Sequence, residues 1–91
     1  MNGPLQLHKA LLQLDHGRVE RGEATLRELL EHEQPGVIRV RALVVYGELL
    51  QQLGRSDEAT ALLESALREA ADLDVDDLLD VEVELARELL E

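Results

Sequence analysis

The sequence predicts an all-α domain over residues 1–91, because the chain repeats itself and lacks the residues that sheets favour. The segment GRVERG at 17–22 returns 37 residues later as GRSDEA at 54–59, and the apolar spacing after each copy also matches. Self-similarity at about this period is typical of helical repeats, whose units cannot bury their apolar faces alone. Phe and Trp are absent and Tyr46 is the single aromatic residue, which favours helices packed through Leu, Val and Ala.

The first repeat, residues 5–34, is predicted to hold two helices. Helix one extends over about Leu5–Asp15, where leucines recur at helical spacing, and the turn at Gly17 ends it. Helix two extends over about Glu20–Glu33. Pro35-Gly36 then marks the clearest break in the chain, since these two residues together interrupt helices.

The second repeat, residues 37–71, is also predicted to hold two helices. The run 37–46 is rich in β-branched residues, so a strand is an alternative there. Length favours a helix over Val37–Leu53, because no turn signal occurs before Gly54. Such an apolar helix is expected to lie between two others. Helix four then extends over about Ser56–Ala71.

A C-terminal helix, residues 74–91, is predicted to begin near Asp74. Apolar side chains cover more than half of its circumference, whereas a capping helix with one neighbour should be polar on its outer side. Three explanations stay open: a symmetric dimer through this helix, a further repeat that a fragment would lack, or direct binding of a partner. We place the dimer first. The residues predicted for self-association are Leu78, Val81, Glu82, Leu85 and Leu89.

The charge lies almost entirely in the C-terminal part of the chain. Residues 1–55 hold seven acidic and seven basic side chains, whereas residues 56–91 carry the whole net charge of −11. A field of this sign repels nucleic acid and anionic lipid and favours basic partners. The chain has no cysteine and no apolar stretch long enough to span a membrane, and we expect a cytoplasmic protein that binds neither nucleic acid nor membrane.

Residues 42–71 resemble a tetratricopeptide repeat (TPR). The residues that fall at the spacings of that family are Leu43, Tyr46, Gly47, Leu50, Ala59, Leu63 and Ala66. The first repeat is similar but weaker: Leu7, Ala10, Leu11 and Leu14 match the second repeat at an offset of 36, so the loop before Gly17 is predicted to be one residue longer. Gly22 matches Ala59, and both are predicted to be points where the two helices of a hairpin approach closely. The resemblance implies two antiparallel hairpins in a right-handed solenoid, capped by helix five.

The resemblance also implies a groove, lined by the first helix of each hairpin, that binds a peptide or a partner helix. The matching groove positions are His8, Lys9, Leu12, Arg41, Val44, Val45, Glu48 and Gln52. Members of the family that grip a carboxylate use Lys and Asn at several of these places. Here His8, Leu12 and Val45 stand there, which favours a hydrophobic peptide or helix. The chain is therefore expected to be a protein-interaction adaptor.

The sequence leaves two other classes of function open. One is a homodimerisation or regulatory assembly domain, as part of a larger regulator; the other is an acidic metal-binding or catalytic bundle. The Asp-rich segment 72–82 resembles a calcium loop, but Asp77 replaces the glycine of the sharp turn and Val83 replaces the bidentate glutamate. His8 and His16 lie two turns apart, too far to share a metal without a third element. We therefore expect no enzyme, no metal site and no cofactor.

Overall fold

The computed structural model describes residues 2–73 and 76–91, and within them the protein is all-helical, as predicted. No strand occurs in these ranges, so the helix over the β-branched run is confirmed. The elements are α1 (Gly3–Asp15), α2 (Val19–His32), α3 (Val37–Gln52), α4 (Ser56–Leu73), a 3-10 turn (Asp76–Leu79) and α5 (Asp80–Leu90). The predicted start of helix five at Asp74 lies outside the described residues; the α-helix itself begins at Asp80.

The helices form two pairs, which we call pair one (α1 and α2) and pair two (α3 and α4). Within each pair the two helices make the most extensive contacts of the molecule, and α5 packs mainly against α4 and also against α3. α3 lies between α1 and α2 on one side and α4 and α5 on the other, which confirms the expected position of the apolar helix. None of the described helices is both long and apolar enough to cross a bilayer.

The turns inside the two pairs are the same length. Gly17 and Gly54 both have positive φ, at 74° and 78°, a conformation that glycine adopts without a steric penalty. Arg18 N donates to Gln13 O at 2.8 Å, and Arg55 N donates to Leu50 O at 2.8 Å. Because these matching bonds are separated by 37 residues, the prediction of a longer first loop is wrong.

Burial follows the same offset of 37 along the first helix of each pair. In α1 the buried residues Gly3, Gln6, Leu7 and Ala10 correspond to the buried residues Val40, Leu43, Val44 and Gly47 of α3. The offset of 36 was misleading because α1 carries leucines on several sides. At an offset of 36, Leu11 corresponds to the buried Gly47, yet Leu11 is exposed. At an offset of 37 its counterpart is the charged residue Glu48, which agrees with that exposure.

A glycine in each pair leaves no room for a side chain against the other helix. A Cβ on Gly22 would lie 2.5 Å from Leu14 Cδ2, and a Cβ on Gly47 would lie 2.6 Å from Leu63 Cδ2. Gly22 is therefore a close-contact point, as predicted, and Ala59 is fully buried. Two apolar clusters result, one shared by pair one and α3 and the other shared by pair two and α5.

The register of α3 continues into α5. Ala42 and Leu49 of α3 are buried in the cluster shared with pair one, and their counterparts 37 residues later, Leu79 and Ala86, are buried in the cluster shared with pair two. Leu79, in the 3-10 turn, and Ala86, in α5, thus repeat the burial of Ala42 and Leu49 at a 37-residue interval. We call α1, α3 and α5 the 37-residue series.

Candidate functional site

The structure divides the predicted groove residues between two surfaces. His8, Lys9 and Leu12 line an open hollow of about 340 Å³ on α1, together with Leu5, Gln13, His16 and Arg18. None of the groove residues predicted on α3 takes part in that hollow. The one-residue error in alignment explains the division, since it placed residues from different sides of α1 and α3 on one face.

The α3 members of the predicted groove are mostly occupied within the chain. Val44 is only 3% exposed and belongs to the cluster shared with α5, which corrects its placement on an open groove. Arg41 Nε lies 3.0 Å from Glu82 Oε2 and forms a salt bridge to α5. Val45 and Glu48 are half-buried and Gln52 is exposed, so they form a narrow stripe beside Arg41.

The surface of α1 that faces away from the core corresponds to a buried surface of α3. We define the N-terminal face as Leu5, Lys9, Leu12 and Arg18. Their counterparts at an offset of 37 are Ala42, Tyr46, Leu49 and Arg55, which pack or bond against pair one. Leu5 is 65% exposed and Leu12 is 44% exposed, whereas Leu49 is 7% exposed. The same kind of surface is therefore covered within the chain where it occurs on α3 and exposed where it occurs on α1.

A polar network at the internal version of this interface is centred on Glu23 of α2. The Tyr46 hydroxyl donates a hydrogen bond to Glu23 Oε2 at 2.6 Å, and Arg55 Nη1 lies 2.8 Å from the same oxygen. Arg27 Nη2 adds a salt bridge at 2.9 Å. The Glu23 side chain is 12% exposed, so this carboxylate is taken out of water and compensated by three donors.

The network shifts the pKa of two of its members. The hydrogen bond from Tyr46, with the guanidinium groups of Arg55 and Arg27, lowers the pKa of Glu23 although its burial opposes that change. Burial, followed by the neighbouring Glu23 carboxylate, raises the pKa of Tyr46. Sequence reasoning missed this network. The repeated Gly-Arg motif was the available signal, because Arg55 reaches back from it to pair one.

Three of the five predicted self-association residues are used within the chain. Glu82 bonds to Arg41, while Leu85 and Leu89 pack against the second apolar cluster. Gln51 Nε2 also donates to Leu89 O at 2.6 Å. Only Leu78 and Val81 of this set are largely exposed, at 56% and 76%. Internal packing thus accounts for most of the apolar arc of helix five.

The outer side of α5 is mainly acidic, although the exposed Arg87 lines the same shallow hollow as Asp80, Glu84 and Glu88. Asp77, which precedes α5, and Asp80, Glu84 and Glu88 on it are exposed, and Val81 lies among them. We call these five residues the acidic face. In α3 the counterparts of Asp80, Val81 and Glu84 are Leu43, Val44 and Gly47, all of which are buried. These positions are therefore exposed on α5, whereas the corresponding positions on α3 are buried by apolar packing.

A further open cleft, of about 450 Å³, lies between α2 and α4 and was not predicted from the sequence. Leu30, Leu50 and Leu62 supply apolar lining, while Arg27, Arg55 and Glu58 are among its charged residues. These charges already have partners, since Arg27 bonds to Glu23 and Arg55 Nε bonds to Glu58 at 2.6 Å. Glu31 also lines the cleft, and the His32 ring lies 4.0 Å from its carboxylate. The cleft thus offers apolar contact beside charges that are mostly paired.

In the described ranges, 2–73 and 76–91, no three His, Asp or Glu side chains are grouped so that they could hold a metal ion. Part of the Asp-rich segment, including Asp74, lies outside these ranges. Comparison of the chain with protein-family models, with curated proteins and with solved structures gave no match. The surfaces of the molecule itself therefore carry the information on its function.

Proposed function

We propose that this chain is a protein-interaction module of TPR-like architecture, with two antiparallel hairpins, and that its N-terminal face binds a helix of another polypeptide. One observation carries the proposal. Leu5 and Leu12 are exposed, whereas their counterparts Ala42 and Leu49 are buried against pair one. A surface that is covered by helices at one repeat and open at the previous one fits a helical partner.

The internal contact also indicates the kind of partner. α3 places its version of this face against α1 and α2, so the complementary surface is made of helices rather than of extended chain. At that contact Tyr46 and Arg55 both bond to the carboxylate of Glu23. Their counterparts on the N-terminal face are Lys9 and Arg18, which favour a partner helix that carries acidic side chains.

The energy available from the leucines alone is small. Full burial of a leucine side chain contributes about 1.5–3 kcal/mol, so covering the exposed parts of Leu5 and Leu12 would contribute about 2–3 kcal/mol. A millimolar complex requires about 4 kcal/mol. The basic residues of the face must therefore add to the apolar contact, and we expect a weak, salt-sensitive interaction.

A photo-crosslinking amino acid at position 12 tests the proposal, with the same amino acid at position 64 as the control. Glu64 is exposed on α4, away from the N-terminal face. We expect position 12, but not position 64, to crosslink to a defined polypeptide, and mass spectrometry should identify the attached peptide as one rich in Asp and Glu. Leu5→Glu in the same protein should abolish this product. Equal labelling at both positions, or none at position 12, would contradict the proposal.

Self-association through helix five is the second candidate function, because Leu78 and Val81 remain exposed. A symmetric dimer would place two copies of the acidic face against each other. Like charges directly opposed destabilise such a contact. The two exposed apolar residues therefore fit a contact with a basic surface better than a contact with their own copy.

A further inference from the structure

We infer that the N-terminal face of one copy of this chain binds the acidic face of a second copy, so that the molecules associate head to tail. This inference rests on the proposed function and names the partner. It joins the two surfaces that the 37-residue register leaves open, one on α1 and one on α5.

The chain already makes the corresponding contact internally. Val44 of α3 is buried in the cluster that contains Leu79 and Ala86, so it contributes to the surface on which the next helix of the series, α5, is packed. Val81 is the counterpart of Val44 one repeat later, and it is 76% exposed, since none of the described helices packs over it. A second copy's α1 would supply that helix.

The surface of α1 that would meet Val81 also has a buried counterpart on α3. Leu49 lies on the side of α3 that packs against pair one, and its counterpart in α1 is the exposed Leu12. Leu12 and Val81 are thus exposed, although their counterparts Leu49 and Val44 both take part in contacts between helices inside the chain. A head-to-tail arrangement continues that contact from one molecule to the next.

Charge complementarity selects this arrangement over the symmetric ones. Lys9 and Arg18 contribute positive charge to the N-terminal face, and among the described residues neither of them forms a salt bridge. The acidic face presents Asp77, Asp80, Glu84 and Glu88. Contact between two N-terminal faces or between two acidic faces would oppose like charges, whereas contact between unlike faces is attractive.

A head-to-tail contact does not close on itself in a dimer. Each bound pair still exposes one N-terminal face and one acidic face, so growth continues unless the rotation closes a ring. The net charge of −11 on every copy opposes long assemblies, and we expect short oligomers at high protein concentration.

Two single variants of the full chain provide the test. Leu12→Glu disables the N-terminal face and leaves the acidic face intact, whereas Val81→Lys does the reverse, since it places a positive charge opposite Lys9 and Arg18. Both positions are exposed and lie outside the described core clusters, and circular dichroism verifies that each variant is folded. In sedimentation velocity from low micromolar to millimolar concentration, we expect the wild type to form oligomers and each variant to stay monomeric. An equimolar mixture should form a heterodimer, with twice the monomer mass and no further growth.

Leu53→Glu is the matched control, since Leu53 is exposed to nearly the same extent as Leu12 but belongs to neither face. It should associate as the wild type does. A wild type that stays monomeric throughout, a single variant that still oligomerises, or a mixture that forms no heterodimer would overturn the inference. These results would leave the proposed function intact if the crosslink at position 12 leads to a different protein.

Discussion

Helices α1 and α5 occupy equivalent positions in the 37-residue series, but their outward surfaces differ. On α5 the positions that are Leu43 and Gly47 in α3 have become Asp80 and Glu84. On α1 the position that is Leu49 in α3 remains a leucine, Leu12. The outer surface of α5 is therefore solvated by charge, while that of α1 keeps the apolar character of an internal repeat. Neither helix is unusual alone, and the contrast appears only when burial and residue type are compared at equivalent positions.

The largest expected effect is the difference in the free energy of unfolding between substitutions at Leu49 and at its counterpart Leu12. Leu49→Ala should lower the free energy of unfolding by about 2–4 kcal/mol, because it leaves a cavity between α3 and pair one. Leu12→Ala should change it by less than about 0.5 kcal/mol, as for most exposed substitutions. Urea unfolding followed by circular dichroism measures both. Equal losses for the two variants would mean that Leu12 also supports the fold.

At the α5 end, Ala86→Glu should have a similarly large effect. Ala86 is fully buried against pair two, so a carboxylate there would be desolvated without a partner, at a loss of about 3 kcal/mol or detachment of α5. Glu84→Gln, two residues away on the acidic face, should be nearly neutral. Amide hydrogen exchange along α5 distinguishes local detachment from global unfolding. Retained protection in the Ala86→Glu variant would contradict the packing described for this helix.

An intermediate effect is expected for the polar network that the internal interface has and the N-terminal face lacks. Tyr46→Phe removes the donor to Glu23 and should lower the free energy of unfolding by about 1–2 kcal/mol at neutral pH. The pKa of Glu23 is lowered in the folded state, so its ionised form stabilises the protein above the pKa of the unfolded chain, and this stabilisation is lost as the pH falls through the folded pKa. The difference between Tyr46→Phe and the wild type should therefore shrink in acid. Urea unfolding at neutral and at acidic pH measures it. A difference that is independent of pH would refute this role of Glu23.

The smallest effect concerns the salt bridge between Arg41 and Glu82. Both side chains are partly exposed, so a double-mutant cycle with Arg41→Ala and Glu82→Ala should give a coupling below about 1 kcal/mol. A larger coupling would mean that this pair, rather than the apolar contact of Leu79 and Ala86, holds α5 in place.

Much of the fold could be predicted because repetition, turn glycines and leucine spacing are local properties of the sequence. The all-helical class, the helix over the β-branched run and the close contact at Gly22 are confirmed. The register of α1 could not be obtained this way, because leucines on several sides of that helix allow two alignments. The turn bonds of Arg18 and Arg55 decide between them, and hydrogen bonds are visible only in the structure.

The candidate site was harder to predict than the fold. His8, Lys9 and Leu12 do share a surface, but Val44 is buried and Arg41 is paired with Glu82. A sequence shows which side chains are apolar; it does not show which neighbours cover them. The apolar arc of helix five illustrates the point, since Leu85 and Leu89 pack within the chain and Val81 does not.

If the N-terminal face and the acidic face are complementary, both must respond when the protein is concentrated, and a dilution series followed by amide chemical shifts in NMR spectra measures this response. We expect amides of residues 4–18 and 77–88 to shift together as the protein is concentrated, with the same apparent dissociation constant, while amides around the α2–α4 cleft stay unchanged. Shifts confined to one of the two faces, shifts centred on the cleft, or the absence of any concentration dependence would contradict this complementarity.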